Sequence, residues 1–250
     1  MINTFDYPSL HESFVNAQPF HHAVMDNFFD EETALTLSRE FPEYDSDLWH
    51  VYNNPLEKKK TCNSWNTFPK NLYSTFCYLN STPFISKLKK ITGIKKLYPD
   101  IGLHGGGLHI HGNGDKLNIH LDYSIHPKLK LQRKLNLIIY LGEGWDASWG
   151  GELQLYSKAH TTKIDTLFNR AVIFDTTQNS YHGLPNPIQC PTDKYRKSLA
   201  VYYLTDPPKN CPTHSKAIYI PTEEQENDPE IQEIIRKRSS MITASKVYRT

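Results

Sequence analysis

This sequence lacks the features that mark several large classes of protein. Its 28 Lys and Arg residues nearly balance its 27 Asp and Glu residues, so the formal net charge is only +1. No charge excess therefore points to a nucleic acid or to an anionic membrane surface as a partner. No apolar run approaches the roughly 18 residues that a membrane-spanning helix needs. We expect neither membrane insertion nor nucleic-acid binding.

Cysteines are few and widely spaced. The four cysteines form no CxxC pair, which excludes a zinc ribbon and a thioredoxin-type redox site, and they are too sparse for a disulfide scaffold. The first residues show no basic start followed by an apolar stretch, which is the pattern of a secretory signal. We therefore expect free thiols and a cytoplasmic protein.

The first part of the chain has a helical pattern. We predict a helix from Glu31 to about Phe41, capped by Asp30, because Pro42 cannot continue it. Two further helices are expected at 70–79 and 83–92, the second with proline at its start and glycine after its end. The intervening polar stretch contains Lys58–Lys60, which we expect in an exposed loop.

From Tyr98 onward, short segments alternate apolar with polar residues and are separated by turn residues. Eight strands are predicted, at 107–111, 116–122, 134–141, 151–156, 161–167, 171–175, 180–185 and 198–205. Consecutive short strands favour a jelly roll or barrel over a parallel sheet with crossover helices. We expect a mainly β (α+β) fold with flanking helices: a helical support region at 1–95, a β core at 96–206, and an extension at 207–250 with a helix from Pro229 to about Arg238.

One predicted strand carries two candidate metal ligands. His120 and Asp122 are two residues apart, so their side chains point to the same face of the strand. His182, about sixty residues further on, is the best candidate for a third ligand. Two imidazoles and one carboxylate form the facial triad of non-haem iron(II) oxygenases, which leaves the opposite face of the ion open.

A cation begins the last predicted strand. Arg196 precedes an apolar run, where a guanidinium is costly unless it is paired, and the planar guanidinium matches a carboxylate. 2-Oxoglutarate has such a carboxylate at the end remote from its metal-chelating keto acid. Ser198 faces the same way as Arg196 and is expected to donate a second hydrogen bond.

Several motifs together resemble the 2-oxoglutarate/Fe(II) oxygenases, closest to the prolyl 4-hydroxylase type. They are Val24-Met25-Asp26-Asn27-Phe28-Phe29, Gly105-Gly106-Gly107-Leu108, the His-x-Asp pair, Trp149-Gly150-Gly151-Glu152-Leu153, Phe174-Asp175 with Tyr181-His182-Gly183, and Arg196-Lys197-Ser198-Leu199. The resemblance covers roughly residues 19–208. It implies a double-stranded β-helix with N-terminal support helices.

The same resemblance implies chemistry and cosubstrates. It predicts a dioxygenase that uses Fe(II), 2-oxoglutarate and O2, with ascorbate left open as an accessory reductant, and that hydroxylates a substrate with release of succinate and CO2. His120, Asp122, His182 and Arg196 are the expected catalytic set. His111 stands where prolyl 4-hydroxylases usually have a tyrosine that contacts 2-oxoglutarate, and Arg196 comes later than their usual basic residue. The sequence therefore predicts the oxygenase chemistry rather than prolyl hydroxylation in particular.

Three further polar residues have more than one interpretation. Asn136 and Tyr140 share a face of the third predicted core strand, and we expect them either to contact 2-oxoglutarate or to form hydrogen bonds within the barrel. His126 lies four residues after Asp122 and precedes Pro127. We expect it to face the solvent or the substrate rather than the metal.

The sequence leaves the substrate open between a small metabolite and a side chain of a peptide or protein, such as proline, and it leaves the oligomeric state open. A competing hypothesis is a catalytically inactive jelly-roll binding module, which the intact His120, Asp122, His182 and Arg196 oppose. Halogenation at the same metal is a third hypothesis. Asp122 opposes it, because halogenases of this type replace the carboxylate with a small residue.

Overall fold

A computed structural model describes residues 1–211, 214, 216–240, 242–243 and 247 of the protein. The helices confirm the sequence pattern closely, and they include one at the N-terminus that was not predicted. Their bounds are α1 Tyr7–Asn16, α2 Glu31–Arg39, α3 Lys70–Leu79, α4 Thr82–Thr92 and α5 Pro229–Arg238.

The predicted core strands all form. The strands of the structure are β1 His22–Met25, β2 His50–Asn54, β3 Glu57–Cys62, β4 Tyr98–Pro99, β5 Gly107–His111, β6 Lys116–Leu121, β7 Gln132–Tyr140, β8 Leu153–Tyr156, β9 Thr161–Ile164, β10 Ala171–Asp175, β11 Tyr181–Leu184, β12 Arg196–Thr205 and β13 Ile218–Tyr219.

Local chemistry fixes the helix ends. The Asp30 side chain accepts a hydrogen bond from the Thr33 amide at 2.9 Å, which satisfies a free donor in the first turn of α2. Helix α4 ends at Gly93, whose φ of +71° is readily adopted by glycine and whose amide donates to the Lys89 carbonyl at 3.0 Å. The buried faces of α2, α3 and α4 join one hydrophobic cluster with residues of β5, β7 and β12. The helices thereby support one side of the sheet.

Within the described residues, thirteen strands form one antiparallel sheet that folds over the active-site region. Its order is β1-β10-β7-β12-β5-β3-β6-β11-β8-β9, with β2 beside β3, β4 beside β12 and β13 beside β6. Strand β3 joins the part of the sheet that ends in β5 to the part that begins with β6. Its residues Lys60–Cys62 pair with β5, whereas Glu57 and Lys58 pair with β6. This curled antiparallel sheet with a few helices is the jelly roll, or double-stranded β-helix, that the sequence predicts.

The expectation of an exposed loop at Lys58–Lys60 is wrong. These residues lie in β3, which forms a hairpin with β2 and pairs with β5 and β6. Alternation along the strand exposes Lys58 to solvent, whereas Lys59 is half-buried and lines the active-site cavity. The Lys60 ammonium lies 3.6 Å from the centre of the Tyr44 ring. The run forms a strand because it pairs with β2 on one side and with β5 and β6 on the other.

The C-terminal extension packs against β3 and β6. Strand β13 pairs with β6 so that Tyr219 lies opposite His120. The buried Gln225 side chain accepts a hydrogen bond from Asn118 at 2.6 Å, and Arg238 of α5 forms a buried ion pair with Glu57 at 2.7 Å. These contacts tie the extension to β3 and β6.

No helix within the described ranges is long and apolar enough to cross a membrane. The division into a support region, a core and an extension, with boundaries near residues 95 and 206, stays a prediction.

Candidate active site

The three predicted metal ligands converge at the end of β6 and on β11. His182 lies directly opposite His120 in the β6–β11 pairing, and Asp122 follows the end of β6. The Nε2 atom of His120 lies 3.7 Å from Asp122 Oδ1, and the Nε2 atom of His182 lies 3.9 Å from Asp122 Oδ2. One donor atom from each residue lies within 4.8 Å of the others, and all three residues are buried. Two imidazoles and one carboxylate so placed fit an octahedral iron(II) ion.

Backbone carbonyls orient both histidine rings. His120 Nδ1 lies 3.0 Å from the Asn118 carbonyl, and His182 Nδ1 lies 2.9 Å from the Ser180 carbonyl. Each Nδ1 therefore carries the proton and donates it, so that the lone pair of Nε2 faces the other ligands. Such partners fix the tautomer and ring orientation of a metal-binding histidine.

Two side chains hold the Asp122 carboxylate. The Tyr202 hydroxyl donates a hydrogen bond to Oδ2 at 2.9 Å, and the Arg133 guanidinium lies 3.3 Å from Oδ1. Arg133 itself is stacked between the Tyr123 and Tyr202 rings, at 3.6 and 3.4 Å from their centres. The guanidinium and hydroxyl together leave the carboxylate little rotational freedom.

The surroundings of Asp122 and His182 favour the protonation state that each residue needs to bind a metal. Burial opposes ionisation of Asp122, but Arg133 and the two ligand histidines outweigh it and hold the pKa of the carboxyl well below its usual range. Burial, with a smaller contribution from His120, lowers the pKa of His182 to about 4. The carboxylate is therefore charged and His182 is neutral near pH 7, as metal binding requires.

The predicted 2-oxoglutarate residues form a second cluster on β5, β7 and β12. Cross-strand pairing places Arg196 opposite His111 and Ser198 opposite Tyr140, while Asn136 lies opposite Tyr202. All five predicted residues are buried: His111, Asn136, Tyr140, Arg196 and Ser198. Arg196 donates to the Gly151 carbonyl at 2.8 Å, and no carboxylate of the described residues lies within ion-pair distance of it.

Several buried polar atoms of this cluster lack a protein partner. Within the described part of the chain, both ring nitrogens of His111, the Asn136 Oδ1 and the Tyr140 hydroxyl make no well-formed hydrogen bond. Buried polar groups are nearly always paired, so a set of unpaired ones beside a guanidinium without a carboxylate partner fits a polar, anionic ligand. Burial first, and then Arg196, lower the pKa of His111 well below its usual value, so its ring is neutral and offers one donor.

The three metal ligands and four residues of the second cluster, all except Tyr140, line one cavity of about 410 Å³. That volume lies in the range typical of small-molecule sites. The metal ligands and the Arg196 cluster lie along its wall, together with β2, β3 and the segment before β13. The cavity can therefore hold a chelating cosubstrate and part of a substrate at the same time.

The prediction that His126 faces the solvent is wrong. The residue is buried, its Nε2 lies 3.5 Å from Asp100 Oδ1, and its Nδ1 accepts hydrogen bonds from the Lys128 and Leu129 amides. The loop after Asp122 turns back on itself, because the His126 amide donates to the Leu131 carbonyl at 2.8 Å. A polar, proline-containing segment predicts a loop but not the tertiary contact that buries it.

Sequence reasoning missed Arg133, Tyr202 and Tyr219. Tyr202 had a detectable signal, since it lies four residues after Ser198 on the same face of the strand. Arg133 begins an apolar strand just as Arg196 does, and the same argument about unpaired charge applied to it. Tyr219, whose ring stacks on His120 at 5.3 Å, lies in the extension and has no local signal.

Comparison with known families agrees with this geometry. Residues 106–206 match the model of the family described as the 2OG-Fe(II) oxygenase superfamily. This range includes all of the predicted metal-binding and cosubstrate residues. No curated protein sequence matches the chain.

Solved structures with the same fold include several oxygenases. A prolyl hydroxylase from Trichoplax adhaerens, in complex with a hypoxia inducible factor peptide fragment, is 17% identical, with a TM-score of 0.58 over 80% of this chain and 90% of that one. A Pseudomonas putida prolyl-4-hydroxylase is 14% identical, with a TM-score of 0.55 over 80% and 100% of the two chains. HygX from Streptomyces hygroscopicus, with nickel, 2-oxoglutarate and hygromycin B bound, is 8% identical, with a TM-score of 0.50 over 81% and 88%. At these identities, the structural likeness establishes the fold.

Proposed function

We propose that this protein, a 2-oxoglutarate- and iron(II)-dependent dioxygenase of the prolyl 4-hydroxylase-like type, holds its iron through His120, Asp122 and His182. The enzyme hydroxylates a substrate and releases succinate and CO2. The observation that carries the ligand assignment is the convergence of the two Nε2 atoms and the Asp122 carboxylate within 4.8 Å. The carbonyl partners of both Nδ1 atoms support it, because they leave Nε2 free to bind.

The iron(II) ion, when bound, supplies the activation of O2 that organic side chains cannot perform, with 2-oxoglutarate as the source of two electrons. The protein's own groups hold and orient the metal ligands. Tyr202 and Arg133 each contact a different oxygen of Asp122. This arrangement keeps the carboxylate in one position, so His120, Asp122 and His182 would hold the ion from one side and leave the side toward the cavity open.

We assign the cosubstrate pocket to the cluster around Arg196. The guanidinium, with Ser198 and the Tyr140 hydroxyl beside it, binds the remote carboxylate of 2-oxoglutarate. His111 and Asn136 contribute the remaining polar contacts, since their unpaired atoms face the same space. Burial of all five side chains strengthens these hydrogen bonds, because the surroundings are less polar than water.

The substrate enters from the side of the cavity that β2, β3 and the segment before β13 surround. Two neighbours in fold bind very different molecules, a peptide fragment in one and hygromycin B in the other. The fold therefore accommodates proteins that bind a peptide and proteins that bind a small molecule. We propose that a small metabolite, or one side chain of a peptide, occupies the part of the cavity next to the metal.

A turnover screen tests this function. The purified enzyme is incubated with Fe(II), 2-oxoglutarate, O2 and a panel of metabolites and peptides, succinate is measured, and mass spectrometry identifies any product with one added oxygen. We expect His182→Ala to abolish substrate-stimulated succinate release, because removal of one ligand opens the triad. His160→Ala is the matched control, since His160 is exposed in the β8–β9 turn. Full succinate production by His182→Ala would contradict the ligand assignment.

A further inference from the structure

More cationic than anionic side chains line the active-site cavity, although the net charge of the protein is nearly zero. Five cationic side chains of the described residues line it, against two carboxylates: Lys59, Arg133, Arg196, Lys216 and Arg238 against Glu57 and Asp122. Iron(II) and the 2-oxoglutarate dianion carry opposite charges of equal size, so their binding leaves this excess in place. The residues outside the described part contain no Asp or Glu side chain that could offset it.

Four of these cations have partners within the site, and Lys59 and Arg238 share a single carboxylate, Glu57. Arg133 contacts Asp122, and Arg196 belongs to the cosubstrate pocket. The excess charge therefore lies on the substrate side of the cavity, where β3 and the segment before β13 face each other. Lys59 also lies near the cosubstrate pocket, because its charge helps to lower the pKa of His111.

Lys59 is held in place on β3. Its Nζ lies 3.3 Å from Glu57 Oε2 and 5.0 Å from the centre of the Tyr52 ring, and only 14% of its side chain is exposed. Glu57 also pairs with Arg238 at 2.7 Å, so one carboxylate serves two cations. The Lys59 ammonium is mostly shielded from solvent, and Glu57 neutralises it only in part. Such a charge interacts strongly with an incoming anion.

Lys216 lies on the other wall, two residues before β13, which pairs with the strand of His120. No acidic side chain of the described residues lies within ion-pair distance of its ammonium. Burial, and then the like charge of Arg238, lower the pKa of Lys216. Its ammonium is therefore partly desolvated and is repelled by Arg238. A bound anion would offset both effects.

We propose that the substrate of this enzyme carries an anionic group, a carboxylate or a phosphate, and that Lys59 and Lys216 bind this group at the mouth of the active-site cavity. The proposal rests on the proposed function, because it concerns the same cavity. A lysine ammonium offers a compact charge with three donors and suits either anion. Binding between the two lysines places the adjacent carbon atoms of the substrate toward His120, His182 and Asp122.

Inorganic phosphate and acetate are the probes. The holoprotein is loaded with Mn(II), a paramagnetic ion that the same ligands accept, and with 2-oxoglutarate, without O2. The 31P relaxation of phosphate and the 13C relaxation of acetate then report how closely each anion approaches the metal. We expect enhanced relaxation for at least one anion in the wild-type protein. In Lys59→Met/Lys216→Met, the anion affinity should fall about tenfold or more, since charge-assisted hydrogen bonds are lost.

Lys58→Met/Lys209→Met is the matched control, because both of these lysines are exposed, and Lys58 neighbours Lys59 on the other face of β3. It should behave as the wild type does. Absence of enhancement for both anions, or equal enhancement in Lys59→Met/Lys216→Met, would overturn the proposal. Mn(II) and 2-oxoglutarate binding are measured in the same samples. If neither binds to the wild type, the proposed function fails; if both bind and no anion does, only the present inference fails.

Discussion

Replacing Arg196 with methionine should lower the affinity for 2-oxoglutarate and raise the melting temperature of the cosubstrate-free protein. Arg196 is only 3% exposed, and among the described residues it has no carboxylate partner. Burial disfavours the charged guanidinium and lowers its pKa, so we expect this charge to destabilise the folded protein when 2-oxoglutarate is absent. Arg196→Met removes this charge and keeps most of the apolar stem, but it also removes the anchor of the cosubstrate.

The magnitudes follow from these contacts. A guanidinium that binds a carboxylate through two charge-assisted hydrogen bonds contributes about 1.5–3 kcal/mol for each bond. Their loss corresponds to a decrease in 2-oxoglutarate affinity of roughly 10²-fold to 10⁴-fold. Relief of the buried charge stabilises the cosubstrate-free protein by about 1 kcal/mol. For a chain of this size, that is about 2–4 °C in melting temperature.

Two measurements on one protein sample test this pair of effects. Calorimetry gives 2-oxoglutarate affinity in the presence of Mn(II), and a thermal melt without cosubstrate gives stability. Arg39→Met provides the control, since Arg39 is exposed at the end of α2. Unchanged 2-oxoglutarate affinity in Arg196→Met would refute the pocket assignment, and a lower melting temperature would refute the reasoning about the buried charge.

Three other substitutions test the structure around the site. Tyr202→Phe removes the hydrogen bond to Asp122 and should weaken metal affinity about 10-fold to 100-fold in a metal titration; unchanged affinity would contradict the positioning role. Gly183→Ala places a Cβ 2.6 Å from a backbone carbonyl oxygen of β6, and should cost about 1–3 kcal/mol in denaturant unfolding, with loss of metal affinity. Arg238→Met leaves the Glu57 carboxylate buried without this partner and should destabilise by about 3–5 kcal/mol, a loss that added Glu57→Gln reduces; equal stability of the single and double variants would argue against that pair.

Local sequence patterns predicted much of the fold, because strand periodicity and helix capping depend on residues that are close together in the sequence. The strand periodicity placed His120 and Asp122 on one face, and the described core strands agree with the predicted ones to within a few residues. Capping residues such as Asp30 and Gly93 fixed helix ends for the same reason. The predicted set of metal ligands converges because β6 and β11 pair with His120 and His182 in register.

The errors concern contacts between residues far apart in the sequence. The lysines of β3 have no strand-like alternation of apolar and polar residues, and only their pairing with β5 and β6 makes them a strand. His126 is buried by Asp100 and by the fold of its own loop. The position of Tyr219 over His120 depends on an extension whose pairing with β6 spans about a hundred residues. No local pattern specifies such partners.

The most direct test of the central claim is an anaerobic titration of Fe(II) into the protein with 2-oxoglutarate present. Chelation of 2-oxoglutarate to protein-bound iron(II) gives a visible charge-transfer absorption that neither component gives alone. We predict this absorption for the wild type and for His160→Ala, saturating at one iron per chain, and its loss in His182→Ala. Absence of the band in the wild type, or its full retention in His182→Ala, would contradict the account.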